Sequence, residues 1–306
     1  MSSALLALYA VVRGVVFVGL LLLVGAQAAG ALLGQPRRDP DLADPLHRRL
    51  DRMPRWLLAL LIAAVLARGA LQLLSLLDPG DVVTLDLVYH GLLSGSWGHA
   101  WLLQVVAAAI ALGLLSYRGD RVSVPDPFTI VLIALMLWAQ TGMGHAAGDN
   151  WPGPVGRLLD LTHLVGIGIW LGTLAVLTFA AVPLLGHASR LPTLAAVVRE
   201  FSVYARVGAA LAVASGATAA LVYTGGSIGI LTQSTWGRLL IIKVACMCGV
   251  LAVGWYNWKI VTPALEGLDA DCRRRLRRAI SVELALGLLM LAITTVLVAS
   301  PLPGEG

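Results

Sequence analysis

The chain has 306 residues, of which 58% are hydrophobic and only 13% charged, and its mean hydropathy is +0.84. Soluble globular proteins are about 45–50% apolar and about 25% charged, so this composition excludes that class. Continuous apolar runs such as "LLALLIAAVLA" and "VVAAAIALGLL" exclude a membrane β-barrel, whose strands alternate in polarity. The composition therefore predicts an integral membrane protein built from helices.

Apolar stretches long enough to cross a bilayer, which takes roughly 20 residues, recur along the whole chain. They are Ala4–Leu33, Trp56–Leu77, Trp97–Tyr117, Phe128–His145, Leu158–Leu185, Val203–Tyr223, Leu239–Ile260 and Ala279–Ala299. The first is too long for a signal peptide and carries Arg13 inside its apolar run, so we expect a retained helix. The sequence thus predicts an all-α polytopic transmembrane bundle of about eight spans, forming a single membrane domain over residues 1–306.

The basic residues are concentrated in alternate loops. The cation-rich loops follow spans one, three, five and seven, and those between them are nearly free of Lys and Arg. By the positive-inside rule the basic loops are cytoplasmic, and both termini lie on the periplasmic side. The sequence pI near 9.4 then reflects contact with anionic lipid and requires no nucleic-acid partner. Cys246, Cys248 and Cys272 lie in a span or in a predicted cytoplasmic loop, so we expect no disulfide.

Four histidines come together at the predicted outer face. His90 follows span two, His99 begins span three, His145 ends span four and His163 lies shallowly in span five. Ionisable groups inside a bilayer are costly and mark functional sites, and neutral imidazole binds copper, zinc, iron and nickel. Asp160 precedes His163 by three residues and could either orient its ring or pair with Arg157.

Sulfur-bearing residues form a second candidate set. Met143 lies two residues before His145, and we include it with the outer histidines. Thioether and thiolate sulfur prefer Cu(I), although both residue types also serve as ordinary packing residues in helical bundles. The candidates for an inner pathway are Met136, Cys246, Met247, Cys248 and Met290.

Charged residues inside the spans complete the set of candidates. Arg13 and Arg68 lie at similar depth in spans one and two, and Lys243 lies in the outer part of span seven, where it could snorkel to the surface. Glu283, early in span eight, could be an exit ligand, but we expect it to pair with the neighbouring Arg cluster.

The stretch "LLDLTHLVGIGIWLGTLAVL" (Leu158–Leu177) resembles the signature span of the CopD/PcoD copper-resistance family, in which a helix-borne His is followed by Trp-x-Gly. Those positions are His163, Trp170 and Gly172, and "GHAAG" (Gly144–Gly148) is also similar. Residues 144–306 carry the stronger likeness, and residues 1–143 match mainly in the number and placement of spans. The resemblance implies a bacterial inner-membrane protein that moves copper, as Cu(I) or Cu(II), toward the cytoplasm, with a separate periplasmic CopC-type donor. Trp170 is expected to pack beside the His site.

Three functions compete at this stage. The first is a copper transporter, and the second is a membrane haem or redox protein in which two of the histidines serve as axial ligands. The third is a protein that binds periplasmic copper without moving it. An enzyme is not expected, because the sequence shows no P-loop, no nucleophile elbow and no paired catalytic carboxylates.

Overall fold

A computed structural model describes residues 3–33, 40–77, 82–119, 124–144, 154–185, 190–267 and 271–298. Within these ranges the chain is helical and contains no strand. The helices are α1 (Ser3–Leu33), α2 (Pro40–Leu74), α3 (Leu85–Val88), α4 (Gly95–Arg118), α5 (Pro127–Thr141), α6 (Val155–Ile167), α7 (Thr173–Ala180), α8 (Val182–Leu185), α9 (Leu191–Thr224), α10 (Ile228–Gln233), α11 (Thr235–Tyr256), α12 (Thr262–Glu266) and α13 (Cys272–Leu297). Three π-helical segments, Tyr89–Leu93, Gly168–Gly172 and Asn257–Val261, continue α3, α6 and α11 without a break.

Local sequence determines several helix ends. Asp126 begins α5: its Oδ2 accepts from the backbone N–H of Thr129 at 2.8 Å, and Pro127 occupies the first turn, where no N–H is needed. Ser234 begins α11 by accepting from the N–H of Gly237 at 2.9 Å. Gly225 ends α9 in the left-handed conformation, at φ 55°, which favours glycine.

The prediction of an all-α membrane bundle is confirmed. Among the described residues, seven helical stretches are long and apolar enough to cross a bilayer. The fourth stretch predicted from the sequence is shorter, because α5 has 15 residues and ends at Thr141. At 1.5 Å per residue it spans about 22 Å, less than the roughly 30 Å of a hydrocarbon core.

Helix α1 lies at the centre of the bundle, packed against α2 on one side and against α7 and the π-helical segment Gly168–Gly172 on the other. A Cβ at Gly25 would overlap the backbone of Gly172, so glycine allows these two helices to touch. The stretch Val155–Ala180 is the most enclosed span, since 56% of its most apolar run of 18 residues is buried. The corresponding share for Thr235–Glu266 is 6%. The His163-bearing helix is therefore central, while α11 presents most of its surface to lipid.

Candidate metal site at His163

His163 projects from α6 toward α9. It lies eight residues beyond Val155, or about 12 Å along the helix axis. Its Nδ1 is 2.8 Å from the carbonyl oxygen of Ala212 and 3.3 Å from Oγ of Ser215. A carbonyl oxygen can only accept, so Nδ1 donates its proton and Nε2 carries the free lone pair. A histidine held by a backbone carbonyl in this way is oriented to bind a metal through its other nitrogen.

Close packing of α6 on α9 makes this hydrogen bond possible. A Cβ at Gly166 would lie 2.7 Å from the carbonyl oxygen of Gly208 and 2.8 Å from the backbone nitrogen of Ala212. The helices thus approach backbone to backbone one turn from His163. The imidazole itself lies on Gly216, where a Cβ would be 3.1 Å from Cε1 of the ring. Small residues on both helices bring the imidazole within reach of a main-chain acceptor.

Two charged side chains lie near the imidazole. Asp160 and Lys243 are both half-buried and interact electrostatically with each other, and Lys243 also acts on His163. Lys243 comes from α11, so this interaction links α11 to α6. One acidic and one basic side chain thus lie close enough to His163 or to each other to interact electrostatically.

The contacts in the structure differ from both roles considered for Asp160, which were orienting the ring of His163 and pairing with Arg157. The ring of His163 is held through Nδ1 by Ala212 and Ser215, so Asp160 does not orient it through that nitrogen. Arg157 turns away to α5, where Nη2 donates to the carbonyl oxygen of Trp138 at 2.9 Å and the guanidinium lies 3.9 Å from the centre of the Trp138 ring. Among the described residues, Asp160 has its electrostatic partner in Lys243 rather than in Arg157.

The other predicted outer ligands are spread over different elements. His145 lies outside the described residues. His90 is exposed, within 3.4 Å of Asp86, and belongs to the π-helical segment Tyr89–Leu93. His99 is exposed near the start of α4, and Met143 is buried against the helices of the N-terminal half. Within the described ranges no three His, Cys, Asp or Glu side chains form a metal-binding cluster. The grouping of these ligands around His163 stays a prediction.

The sulfur residues separate into three environments. Met290, Cys246 and Met247 belong to the same hydrophobic cluster as Trp170, which lies two turns beyond His163. Met136 is buried in a different cluster, with Met143, in the N-terminal half. The three cysteines are free thiols, and Cys248 is exposed on the outer surface of α11. The first group shares its cluster with Ala209 of α9, the helix toward which His163 projects.

The buried arginines are held by uncharged groups. Nη2 of Arg13 donates to the carbonyl oxygen of Thr295 at 2.6 Å, and Nη1 of Arg68 donates to Oε1 of Gln140 at 3.0 Å. Arg68 is completely buried, and Gln104 packs against the same Gln140. These contacts tie α1 to α13 and α2 to α5, which indicates a role in holding the bundle together.

Comparison with known proteins gives the family. The profile described as "Copper resistance protein D-like, N-terminal domain" matches residues 1–153, half of the chain, and the profile "Copper resistance protein D" matches residues 195–297. The chain belongs to the copper resistance protein D family. His163 and Trp170 lie between the two matched ranges, so the argument for their site rests on geometry.

Two relatives of this protein have names that refer to copper. The "Copper resistance protein D" of Pseudomonas syringae pv. tomato is 27% identical over 208 residues, covering 64% of this chain and 66% of that protein. The "Copper transport protein CutJ" of Bacillus subtilis (strain 168) is 29% identical over 217 residues, covering 68% of this chain and 37% of that protein. The chain thus spans just under two thirds of the first and little more than a third of the second. No solved structure matches it.

Family and fold together support two general statements. The protein is a multi-pass protein of the bacterial inner membrane, and it belongs to a family named for copper resistance. Both agree with the resemblance seen in the sequence.

Proposed function

We propose that this protein binds copper at His163 from the periplasmic side and moves it toward the cytoplasm, without catalysing a chemical reaction. The observation that carries the proposal is the imidazole of His163, whose Nδ1 proton is held by the carbonyl of Ala212 while Nε2 is left with a free lone pair. Imidazole nitrogen is a good copper ligand in either oxidation state. The names of the two relatives support copper as the cargo.

Further ligands are needed to complete the outer site. The sequence offers His145, Met143, His99 and His90, and His145 is the first choice because its loop connects directly to α6. Asp160 would add a negative charge close to the bound cation, with Lys243 as its partner when the site holds no cation. Copper would arrive from a separate periplasmic donor protein of the CopC type.

The inward path is proposed to run past Trp170. Met290, Cys246 and Met247 share a hydrophobic cluster with Trp170, and their sulfur atoms suit Cu(I). A membrane potential negative inside supplies about 2.3 kcal/mol per charge per 100 mV and drives a cation in this direction. Transport of copper into the cytoplasm then requires no nucleotide hydrolysis.

Uptake of radioactive copper into proteoliposomes tests the proposal. Replacing His163 with Ala should reduce the initial rate at least tenfold, because it removes the nitrogen that binds the metal. His187→Ala, which alters a histidine in a predicted cytoplasmic loop, serves as the matched control and should leave the rate unchanged. Equal uptake by both variants would remove His163 from the path.

Two measurements separate the competing functions. A copper-binding protein that does not transport would bind the metal in a His163-dependent manner, yet show no uptake above that of protein-free vesicles. A haem protein would show a Soret band in the optical spectrum of the purified protein, and His163→Ala would abolish or shift that band.

A further inference from the structure

A cavity of about 280 Å³ lies against Trp170, farther along the chain of this span than His163. It is formed between α7, α9, α11 and α13, and residues such as Leu177, Phe201 and Leu251 give it mostly apolar walls. Because Trp170 lines this cavity and also packs among the sulfur residues, the cavity continues the direction proposed for the metal.

Few polar groups in the cavity wall are free to meet a ligand. The hydroxyl of Thr178 donates to the carbonyl oxygen of Leu174 at 2.7 Å, and that of Ser202 donates to the carbonyl oxygen of Val198 at 2.9 Å. Both hydroxyls are therefore used within their own helices. Apart from the indole N–H groups of its tryptophans, the remaining polar side chains of the wall are Glu283, Asn257 and Arg206.

Glu283 is a buried carboxyl group held by one neutral neighbour. Its side chain is 3% exposed, and Nδ2 of Asn257 donates to its Oε1 at 2.6 Å. Oδ1 of Asn257 is buried with no hydrogen-bond partner in the described part of the chain. Gly254 leaves room beside the carboxyl group, since a Cβ there would lie 3.9 Å from Oε1. Two oxygen-bearing groups with spare acceptor capacity thus share one wall of the cavity.

The Lys and Arg side chains near the cavity contact other groups. The expected pairing of Glu283 with the Arg cluster is not found among the described residues. Nε of Arg206 donates to the carbonyl oxygen of Ser202, and its guanidinium lies 5.2 Å from the centre of the Trp258 ring, against which Lys259 also packs at 4.1 Å. On the helix of Glu283 itself the basic side chains of the first turns are Arg273, Arg274, Arg275, Arg277 and Arg278. The last two are exposed, a turn or more before Glu283.

A carboxylate in apolar surroundings is costly unless a proton or a cation neutralises it. The cavity provides no ion-paired Lys or Arg for Glu283 among the described residues, so a proton or a free cation must fill that role. The orphan Oδ1 of Asn257 can accept the O–H of a protonated Glu283 carboxyl group, and it can bind a metal cation as a second oxygen ligand once that proton has left. Oxygen ligands hold copper only loosely, and loose binding favours release from the inner end of a path.

Backbone irregularities occur at both ends of the cavity. Trp170 belongs to the π-helical segment Gly168–Gly172, and Asn257 begins the segment Asn257–Val261. Such bulges are rare and often occur at functional sites. Here each segment carries a side chain that lines the cavity, which agrees with a binding site.

We propose that Glu283 and Asn257 form an inner cation site, at which a metal cation replaces the proton of the Glu283 carboxyl group. The O–H bond breaks, the proton passes to water on the predicted cytoplasmic side, and a bond forms between the metal and the carboxylate oxygen. One positive charge replaces another when a monovalent cation binds, and no oxidant or reductant is consumed. The identity of the cation as copper rests on the proposed function.

Carbodiimide labelling of the purified full-length protein tests this site. Dicyclohexylcarbodiimide reacts with protonated carboxyl groups in apolar surroundings, and mass spectrometry of peptides locates the product. We expect labelling at Glu283 that slows at least tenfold in saturating silver(I), a redox-stable substitute for Cu(I). Absence of labelling at Glu283, or labelling that no concentration of silver(I) slows, would overturn the proposal.

Two variants sharpen the result. Asn257→Ala keeps the carboxyl group but removes the second oxygen, so protection should require about tenfold more silver(I). Glu266→Gln neutralises an exposed carboxylate that pairs with Arg199 and serves as a control, so both labelling and protection at Glu283 should be unchanged. Protection that is equally strong in Asn257→Ala would show that Asn257 is not a ligand.

The outcome is independent of the outer site. In detergent, silver(I) reaches the cavity without passing His163, so His163→Ala should still show protection at Glu283. If His163→Ala also leaves copper uptake unchanged, the proposed function fails while the inner site stands. If uptake depends on His163 but Glu283 is not protected, the inner site fails alone.

Discussion

The contact between Gly166 and α9 offers a direct test of how packing creates the His163 site. In Gly166→Ala the new Cβ would lie 2.7 Å from the carbonyl oxygen of Gly208 and 2.8 Å from the nitrogen of Ala212. Ordinary contact begins near 3.4 Å, so the helices must separate by about 0.7 Å. Both obstructing atoms belong to the backbone, and no side-chain rotation can relieve the overlap.

The same separation acts on the imidazole. The bond from Nδ1 of His163 to the oxygen of Ala212, now 2.8 Å, would lengthen to as much as about 3.5 Å, beyond a normal hydrogen bond. Overpacking of this kind costs about 1–3 kcal/mol, and loss of a group that orients a metal-binding histidine lowers affinity by about 10–100-fold. We therefore expect both a lower melting temperature in detergent and weaker copper binding in a competition assay.

A control comes from a glycine with open space beside it. Gly113, within α4, has no neighbouring atom within 4 Å of the point where a Cβ would lie, so Gly113→Ala should preserve copper affinity and slightly raise stability. Copper affinity in Gly166→Ala that equals the Gly113→Ala value, together with a clear loss of stability, would show that the Ala212 hydrogen bond does not support the metal site.

Further predictions concern the charge and sulfur near the path. Lys243→Met removes a cation beside Asp160 and His163 and should tighten copper binding by roughly tenfold, whereas Lys243→Arg should not; equal affinities in titrations would contradict the electrostatic account. Met290→Leu keeps the volume but removes sulfur, so copper uptake should slow several-fold with little change in melting temperature. Cys248→Ser, which alters an exposed thiol on the lipid-facing side of α11, should leave the uptake rate unchanged.

Much of the architecture could be predicted because hydrophobic length is a local property of the chain. Seven of the eight apolar stretches form helices long enough to span a bilayer, and membership of the copper resistance protein D family is confirmed by matches on either side of the motif around His163. The fourth predicted span, helix α5, is shorter than predicted, because the apolar composition continues to Met143 while the helix ends at Thr141. The direction of the chain across the membrane remains a prediction from the basic loops.

The partners of individual side chains could not be predicted, because helical periodicity says which residues share a face but not which helix lies opposite. Spacing along α6 makes Asp160 a candidate to orient His163, but the Ala212 carbonyl of α9 does so, since glycines bring the two backbones together. Proximity in sequence assigns Glu283 to the Arg cluster, but its hydrogen-bond partner is Asn257, 26 positions earlier in the chain.

Sequence alone thus determined the class of protein and the position of most of its spans, because both depend on composition, and it offered a set of candidate metal ligands that stays a prediction. Only the tertiary structure decided which nitrogen of His163 is free, which sulfur atoms lie near Trp170, and that a buried carboxyl group opens onto a cavity beyond it. Those properties arise from contacts between helices that are far apart in the chain, and close backbone packing at a few glycines sets them.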